Sequence, residues 1–494
     1  MAPRDNGRKQ VVIIGGGFTG ASVALHLATF WNAGHGLDMT IFEPRTMLGG
    51  GLAYDTSEPG HRINVPADRM SLYPDDPEHF ARWIERYNAT DDDPDARTAH
   101  GSLCPRRAVF GRYVAAEMAP WIARGAVQHV TQPVVLVERV GGRWQVGAAN
   151  GASVLADVVV IATTHQPPAL PAALCPVAAH PGLIADALTG DGVARIGPDD
   201  RVLVVGNGLT AADVIASLDG RGHRGTIMAV SRRGLRSRGH PPVAQEPFGD
   251  FLTPPPRSPA ELLVRVRRAI RQARAQGIAW QSVIDAVRKQ GQGLWRHFTL
   301  VQRRQIVRHL RPYWDVHRFR VAPQVEAVLD RALAGGRLSI RAAGLAAAAA
   351  APDGAIHITL APRRGSGPEI VEVDKVVVAT GPANGSILQS QAWIAKLADA
   401  GHLRPCATGL GIACDRMSRA IGPKGVGQPD LLVAGPLARG TFGELMGLPQ
   451  LSDHARGVAH DIARLVDTMK TARVVSAFTI PQPRLDAVLW RKHI

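Results

Sequence analysis

The sequence predicts an α/β fold that contains two Rossmann-like dinucleotide-binding units. Two glycine-rich motifs carry this prediction, GxGxxG at 15–20 and GxGxxA at 206–211, and each follows a short apolar run and precedes a helical pattern. Two further apolar runs, 156–163 and 373–380, each end in Ala-Thr. Short apolar runs that alternate with helical patterns are typical of buried parallel strands joined by helices.

The first glycine-rich motif has the spacing of a dinucleotide-binding turn. The apolar run 11–14 leads directly into Gly15, Gly17 and Gly20. In this motif the first glycine permits a tight turn, the second lets the backbone approach a pyrophosphate, and the third lets the helix pack closely on the strand. We therefore predict that these glycines shape a pyrophosphate site.

The residues that follow complete the first unit. Phe18 and Thr19 open a helical pattern, whose N-terminus offers N–H donors and a positive dipole end to a phosphate. A second strand is predicted at 39–42 and leads into Glu43, whose carboxylate can accept hydrogen bonds from ribose hydroxyls. Because an acid at this position repels a 2′-phosphate, the unit favours FAD or NAD over NADP.

The same arrangement recurs in the middle of the chain. The apolar run 202–205 leads into Gly206 and Gly208, after which Leu209 and Thr210 open another helical pattern. A strand, a glycine turn and a helix in this order predict a second dinucleotide site.

The second strand of this unit ends in a different way. It is predicted at 226–230 and leads into Ser231, Arg232 and Arg233 instead of an acid. Arginine binds phosphate through charge-assisted and often bidentate hydrogen bonds, so the turn favours NADPH over NADH. The alternative is that the arginine pair is only a solvated turn.

Composition indicates an ordinary soluble globular protein. The chain has 494 residues, of which 45% are hydrophobic, 20% charged and 5% aromatic. Its apolar runs are far shorter than the roughly 20 residues that span a bilayer, so we predict no transmembrane helix. The apolar run 11–14 is also too short for a signal peptide, which predicts a cytoplasmic protein.

The charge of the chain raises the possibility of a nucleic-acid partner. The net charge is +15 and the pI about 10.4, and cations gain affinity for phosphate by releasing counterions. The arginines of the densest basic segment, 257–320, fall at largely helical spacing between apolar residues. This pattern is more typical of the solvated face of a helix, so we expect no nucleic-acid partner.

No sequence pattern indicates a metal site. The four cysteines contain no CxxC pair, and HExxH, CxxCH and GxSxG are all missing from the sequence. We therefore predict no metal, no iron–sulfur cluster, no redox-active disulfide of the usual spacing and no serine hydrolase. The alanine run 346–351 is interpreted as a variable connection between short strands at 338–341 and 355–360.

Longer stretches of sequence resemble one known group of proteins. The stretches are LGGGLAY at 48–54, HRINVPA at 61–67, DDPEHF at 75–80, PRR at 105–107 and RPYWDVHR at 311–318. On these residues and the two glycine motifs, nearly the whole chain resembles bacterial FAD/NAD(P)-binding proteins related to class B flavin-dependent monooxygenases. The similarity is greatest to the amino-acid N-hydroxylating enzymes.

The resemblance implies a two-dinucleotide-binding flavoprotein in which one domain is inserted into the other. The FAD-binding domain comprises 1–165 and 382–494, and the NADPH-binding domain comprises 166–381 with a helical insert at about 257–320. The FAD site and the crossover strands then include Gly51, Ala53, Tyr54, Asn64, Val65, Thr380, Gly381, Gly435 and Pro436.

The chain departs from its relatives at a few positions. The FxGxxxHxxx(W/Y/F) fingerprint of the Baeyer-Villiger and microsomal-type branches is missing. Thr164 takes the glycine position of the first crossover, and the usual acid beside the loop glycine Gly435 is absent. The segment 374–382 is closer to the corresponding run of N-hydroxylases, although Val378 and Pro382 replace two typical residues.

The implied reaction is the N-hydroxylation of a small amine or amino acid. NADPH reduces FAD, and the reduced flavin reacts with O2 to give a C4a-hydroperoxide that oxygenates a neutral amine. The alternatives are an NAD(P)H-dependent flavin reductase or dehydrogenase without oxygen transfer, and a nucleic-acid-associated flavoprotein. The oligomeric state stays open, a homo-oligomer included.

Several side chains are candidates for catalysis. Asn64 follows the loop after Glu43 and is expected to contact a flavin edge; its alternative role is to satisfy its own turn. Asp315 and His317 lie two positions apart and would share a side on a strand or extended loop, which would orient the histidine. The alternative for this segment is a buried salt-bridge cluster that holds the helical insert to the NADPH-binding domain.

Two histidines elsewhere are weaker candidates. His61 opens the HRINVPA stretch, and a structural role is the more plausible one for it. His240 follows the basic turn of the second unit and precedes two prolines.

Overall fold

The computed structural model describes residues 8–30, 36–163, 167–188, 192–363, 367–381 and 384–477. Thr164 and Pro382 lie outside the described residues. The predicted domain boundary at 165–166 also lies outside them, and the boundary at 381–382 lies at their edge. The helices are α1 (Phe18–Phe30), α2 (Gly51–Tyr54), α3 (His79–Arg86), α4 (Arg107–Ala123), α5 (Leu209–Gly220), α6 (Pro259–Ala275), α7 (Trp280–Lys289), α8 (Gly291–His297), α9 (Leu300–Gln305), α10 (Arg311–Arg318), α11 (Pro323–Ala334), α12 (Ala392–Asp399), α13 (Arg439–Phe442) and α14 (Gln450–Ala477).

Short 3₁₀ turns and one π-helical turn supplement these helices. The 3₁₀ turns are Ala67–Arg69, Pro94–Ala96, Ala172–Val177, Gly192–Arg195, Asn384–Gln389 and Gly435–Ala438, and the π-helical turn is Ile306–Leu310. The strands are β1 (Lys9–Ile14), β2 (Leu37–Phe42), β3 (Val127–Val130), β4 (Val134–Val140), β5 (Arg143–Ala148), β6 (Ser153–Ala156), β7 (Val158–Ile161), β8 (Leu183–Ile184), β9 (Val202–Val205), β10 (Ile227–Ser231), β11 (Leu338–Ala350), β12 (Ile356–Pro362), β13 (Glu369–Val373), β14 (Lys375–Val378), β15 (Arg419–Ile421) and β16 (Gly427–Val433).

The first large sheet is built around the first glycine motif. Its strand order is β15-β16-β7-β1-β2-β3, and all pairs are parallel except the edge pair of β15 with β16. The apolar run predicted as a buried strand forms most of β1, where Val11, Val12 and Ile13 have no exposed surface. Helices on both faces bury such a sheet, which explains its continuous apolar strands.

The second large sheet repeats this plan around the second motif. Its order is β13-β12-β11-β10-β9-β14-β8, with a parallel core from β11 to β8 and an antiparallel extension through β12 and β13. A third, antiparallel sheet has the order β4-β5-β6. The predicted α/β class with two Rossmann-like units is confirmed.

The interpretation of the alanine run as a variable connection is wrong. Strand β11 continues through the run to Ala350 and pairs with β12, with a bulge between Leu345 and Ala347. Alanine has low β-propensity, but the cross-strand ladder and the burial of Ala348, which is 6% exposed, override it. Tertiary pairing therefore decides the structure of this segment.

The expectation of a strand or extended loop around Asp315 is also wrong, because 311–318 forms helix α10. Pro312 lies in its first turn, where a fixed φ and the missing N–H are tolerated. Trp314 packs against a helical core that includes Phe251, Val283 and Phe298. Apolar Trp314 and Val316 alternate with polar Asp315 and His317, a pattern typical of a strand, but here the pattern lies on a helix.

Helices α6 to α10 form a helical layer with a hydrophobic core of its own, which includes Val283 and Leu294. On α6, Ala269 and Ala273 are buried, whereas Arg268, Arg271 and Arg274 are exposed. The basic stretch is therefore a solvated helix face at these positions. None of the helices in the described ranges is both long and apolar enough to cross a membrane.

Candidate functional site

The first glycine motif packs tightly against the neighbouring crossover strand. Gly15 has φ +100°, and a Cβ on it would lie 2.5 Å from the carbonyl oxygen of Ala162. A Cβ on Gly20 would lie 1.9 Å from the carbonyl oxygen of Gly15. Gly17 lies against Gly51, whose Cα would be 3.3 Å from an added Cβ. Only glycine fits this turn, as the motif requires.

The second motif repeats the same contact in the other sheet. Gly206 has φ +132°, and a Cβ on it would lie 2.2 Å from the carbonyl oxygen of Ala379. Gly208 is the N-cap residue of α5, which begins at Leu209. In both units the first glycine thus packs on the backbone carbonyl of the alanine in an Ala-Thr strand end.

Glu43 sits where a ribose-binding acid is expected. It follows β2, is 4% exposed, and its Oε2 accepts a hydrogen bond from the N–H of Gly16 at 2.9 Å. Its Oε1 accepts from the backbone N–H of Arg45 at 3.1 Å and from Arg45 Nη1 at 3.0 Å. A carboxylate has about four acceptor positions, so capacity for a ribose hydroxyl remains.

A cavity of ≈ 790 Å³ connects the two units. Thirteen of the predicted site residues line it: Gly15, Gly17, Phe18, Thr19, Glu43, Gly51, Ala53, Tyr54, Asn64, Val65, Leu209, Thr210 and Pro436. Residues of both glycine motifs therefore share one cavity.

The other predicted cofactor residues lie outside its lining. They are Gly20, Gly206, Gly208, Ser231, Arg232, Arg233, Thr380, Gly381 and Gly435. Gly435 packs closely on the first glycine motif, since a Cβ there would lie 2.6 Å from Thr19 Oγ1. Gly381 has φ +78°, a conformation that favours glycine at the end of the second crossover.

The basic turn of the second unit lies beside the second motif. Ser231 Oγ accepts hydrogen bonds from the N–H of Gly234 at 3.1 Å and from Asn207 Nδ2 at 3.4 Å. Arg232 is exposed, and the guanidinium of Arg233 lies 5.6 Å from the Tyr313 ring centroid. The Nε of Arg233 is buried and has no hydrogen-bond partner within the described structure.

Asn64 and His240 meet at the cavity from different parts of the chain. His240 Nε2 donates a hydrogen bond to the backbone oxygen of Asn64 at 2.9 Å, and both residues line the cavity. Burial lowers the pKa of His240 to about 4, so its imidazole is neutral at pH 7. The weak candidate His240 therefore joins the second unit to the loop that carries Asn64. His61 lines no part of this cavity, and its Nδ1 lies 3.1 Å from Thr56 Oγ1.

The prediction that Asp315 and His317 share a side is wrong. Two positions along a helix correspond to a rotation of about 200°, so the two side chains diverge. His317 Nδ1 donates to the carbonyl oxygen of Tyr313 at 2.7 Å, and Asp315 Oδ2 accepts from Arg311 Nε at 3.2 Å. Neither residue lines the cavity.

Two arginines of the same segment do line the cavity, as members of buried ion pairs. Arg318 Nε donates to Glu444 Oε1, and Arg320 binds Asp285 with two hydrogen bonds of 3.1 and 2.9 Å. The salt-bridge interpretation thus describes this segment, but Glu444 lies outside the predicted NADPH-binding domain 166–381 to which the cluster was expected to hold the insert. Glu444 is 126 positions away from Arg318, so no local pattern could have identified the pair.

A further ion pair joins the two units at the cavity wall. At the start of α4, Arg107 Nη1 lies 2.8 Å from Asp213 Oδ2 of α5. Arg107 Nε also donates to the carbonyl oxygen of Arg62. Both partners line the cavity. Arg107 belongs to the PRR stretch of the resemblance, but its partner was not identified from the sequence.

Buried histidines predict that the protein loses stability in acid. Burial lowers the pKa of His26, His240 and His454 to about 4 each. The unfolded chain has histidine pKa values near 6.5, so it binds more protons than the native state between pH 6.5 and 4. The free energy of unfolding should therefore be highest above pH 6.5 and fall by about 3 kcal/mol per histidine between pH 6.5 and pH 4, which urea denaturation at several pH values would measure.

His454 offers a sharp variant for this prediction. Its Nε2 is buried and has no partner in the described structure, and its ring packs on Phe442 with centroids 4.6 Å apart. His454→Phe should flatten the pH dependence, whereas the exposed His100→Gln should leave it unchanged. An unchanged slope in His454→Phe would contradict the assignment of His454 as an acid-sensitive group.

Comparison with known proteins agrees with this architecture. Residues 12–166 match a family model described as FAD-NAD(P)-binding. A comparison with curated protein sequences finds no match.

Solved structures share the fold along nearly the whole chain. The ornithine hydroxylase of Pseudomonas aeruginosa in its reduced form is 15% identical with a TM-score of 0.63, and the match covers 94% of this chain and 100% of that one. An ornithine N-hydroxylase from Kutzneria sp. 744, with reduced FAD, NADP⁺ and L-ornithine, is 19% identical with a TM-score of 0.59 over 94% and 100%.

A third structure is the FAD-bound cadaverine monooxygenase of Erwinia amylovora. It is 12% identical with a TM-score of 0.58, and the match covers 98% of this chain and 99% of that one. At such identities the comparison establishes the fold. The chain therefore has the fold of a two-dinucleotide-binding flavoprotein, and its first unit is similar to FAD-NAD(P)-binding domains.

Proposed function

We propose that the protein is an FAD-dependent monooxygenase that uses NADPH and O2 to N-hydroxylate a small amine or amino acid. The observation that carries this proposal is the single cavity lined by residues of both glycine motifs. Such a cavity lets one cofactor of each unit approach the other, and the similar solved structures include ornithine and cadaverine monooxygenases.

The residues of the first unit fit FAD. The turn at Gly15 has no room for a side chain, Gly17 lines the cavity where its backbone can approach a pyrophosphate, and Glu43 is placed for a ribose. In the second unit, the start of α5 and the turn 231–233 would hold NADPH. We further propose that 166–381 is the inserted NADPH domain, since the strands of the second sheet all lie between 183 and 378.

When bound, the flavin supplies the redox chemistry with O2, and the protein supplies orientation, a dry site and charge. Ile63, Phe319, Met446 and Leu448 add apolar surface to the cavity and keep water out. N-hydroxylation needs a neutral amine. Arg288 lines the cavity and forms no ion pair within the described residues, so its charge lowers the pKa of a nearby ammonium group and favours the neutral form.

The first experiment follows the flavin after rapid mixing. The purified protein is reduced anaerobically with NADPH and mixed with oxygenated buffer in a stopped-flow spectrometer, with and without candidate amines. We expect a transient absorbance distinct from oxidised and reduced flavin, which decays faster with a substrate, and a hydroxylamine product by mass spectrometry.

The alternatives give different results in the same experiment. Direct return to oxidised flavin with every amine, without a hydroxylamine, would favour the reductase or dehydrogenase. Salt-sensitive binding of DNA or RNA in a filter-binding titration would favour the nucleic-acid-associated flavoprotein.

A further inference from the structure

The end of the cavity that is formed by the helical layer carries more positive than negative charge. Arg288, Arg318 and Arg320 line it, but only two carboxylates pair with them, Glu444 with Arg318 and Asp285 with Arg320. In the ranges that the structure describes, no carboxylate forms an ion pair with Arg288.

The hydrogen bonds of Arg288 go to neutral oxygens. Its Nη2 and Nε donate to Gln450 Oε1 at 2.6 and 3.1 Å, and Nη2 also donates to the carbonyl oxygen of Leu448. Arg439, 6% exposed, lies close enough to Glu444 and Arg318 to interact with them electrostatically. Arg311 and Asp315 also interact with Arg439, so five arginines share three carboxylates. The remaining excess of buried positive charge favours an anionic ligand.

Arg318 is the arginine that is poised to bind such an anion. Its side chain is 5% exposed and lines the cavity, and its Nη2 is buried without a hydrogen-bond partner in the described residues. A buried N–H group without an acceptor costs free energy, which an incoming acceptor recovers.

Gly447 lies against the edge of this guanidinium. It also lines the cavity, and a Cβ on it would lie 3.4 Å from Arg318 Nη2 and 3.9 Å from Nη1. The missing side chain therefore leaves room for a methyl-sized group beside Nη2. The guanidinium of Arg318 also packs over the ring of Phe319, with its central carbon 4.5 Å from the ring centroid.

We propose that Arg318 anchors a carboxylate of the substrate, so that the substrate is an amine that carries a carboxylate and not a simple diamine. A guanidinium edge recognises a carboxylate through charge-assisted hydrogen bonds of fixed geometry. This inference rests on the proposed function, because that function is what identifies the ligand as a substrate. The same chemistry would also suit a phosphate of NADPH, and the experiment separates the two.

The experiment compares amino acids with their decarboxylated counterparts. The FAD-loaded full-length protein is titrated with matched pairs, L-lysine with cadaverine, L-ornithine with putrescine, and the other common amino acids with their amines, and binding is followed by the flavin absorbance. At least one amino acid should bind about 30-fold more tightly than its amine. A set in which no amino acid binds more tightly than its amine would overturn the proposal.

Two variants assign the effect to Arg318. Arg318→Lys keeps the charge beside Glu444 but loses the fork, and Gly447→Ala places a methyl group in front of Nη2 without a clash. Each should reduce the ratio of amino-acid affinity to amine affinity about tenfold. Arg311→Lys is the matched control, because Arg311 lies on the same helix but outside the cavity lining.

The NADPH affinity of the same variants separates the two sources of the anion. The NADPH affinity should stay within about twofold of the wild-type value. If Arg318 bound a phosphate of NADPH, the loss of that charged contact would weaken NADPH binding about tenfold. A loss of NADPH affinity in Arg318→Lys with an unchanged carboxylate preference would assign the site to the coenzyme and overturn the proposal.

These titrations need no oxygen, so they are independent of the proposed reaction. Carboxylate selectivity without a hydroxylamine product would refute the monooxygenase and leave the anion site standing. Equally efficient hydroxylation of a diamine and its amino acid would refute the anion site alone.

Discussion

Gly15→Val should yield protein without bound flavin, and Gly206→Val should yield yellow protein that NADPH cannot reduce. Both glycines have positive φ, and an added Cβ would lie 2.5 Å from the Ala162 oxygen in one case and 2.2 Å from the Ala379 oxygen in the other. The turn must move to relieve this clash, and it then loses its approach to the pyrophosphate. Strain of about 3 kcal/mol corresponds to a roughly 100-fold loss of affinity.

The two variants are controls for each other, because they create the same clash in different sheets. Flavin content is measured from the absorbance ratio of the purified protein, and folding from circular dichroism. Fully flavinated, well-folded Gly15→Val would contradict the assignment of the first motif to FAD. Normal reduction of Gly206→Val by NADPH would contradict the assignment of the second motif.

The double variant Arg232→Ala, Arg233→Ala should raise the apparent KM for NADPH by about 10- to 100-fold and change that for NADH little. Only NADPH has a 2′-phosphate, and the loss of one charge-assisted hydrogen bond to it, worth about 1.5–3 kcal/mol, already accounts for this range. The turn lies next to the second motif through the contact of Ser231 with Asn207. Steady-state coenzyme oxidation with both coenzymes measures the effect.

The control for this prediction removes an arginine that already has a partner. Arg224 is exposed and forms an ion pair with Asp199 at 2.7 Å. Arg224→Ala should leave both KM values unchanged. Equal effects of the double variant on NADPH and NADH would mean that the arginine pair is a solvated turn and not a phosphate site.

The backbone of both dinucleotide units is determined by local sequence. A strand, a tight glycine turn and a helix follow one another along a few residues, so the constraints at Gly15 and Gly206 are visible in the sequence. The positions of β1, β2, β9 and β10 agree with the predicted strands to within two residues.

Other segments depend on partners that are distant in sequence. The alanine run becomes part of a strand because β12 pairs with it, and residues 311–318 form a helix because Trp314 packs on the helical layer. Local propensity is a weak signal in such places, and tertiary contacts override it.

Local sequence specifies the two glycine motifs, the acid after β2 and the basic turn after β10. Which side chains face the shared cavity depends on long-range packing. It placed Arg318 and Arg320 there instead of Asp315 and His317, and joined them to Glu444 and Asp285. The physical reason is that backbone turns are specified by neighbouring residues, whereas buried charges are compensated by partners that only folding brings together.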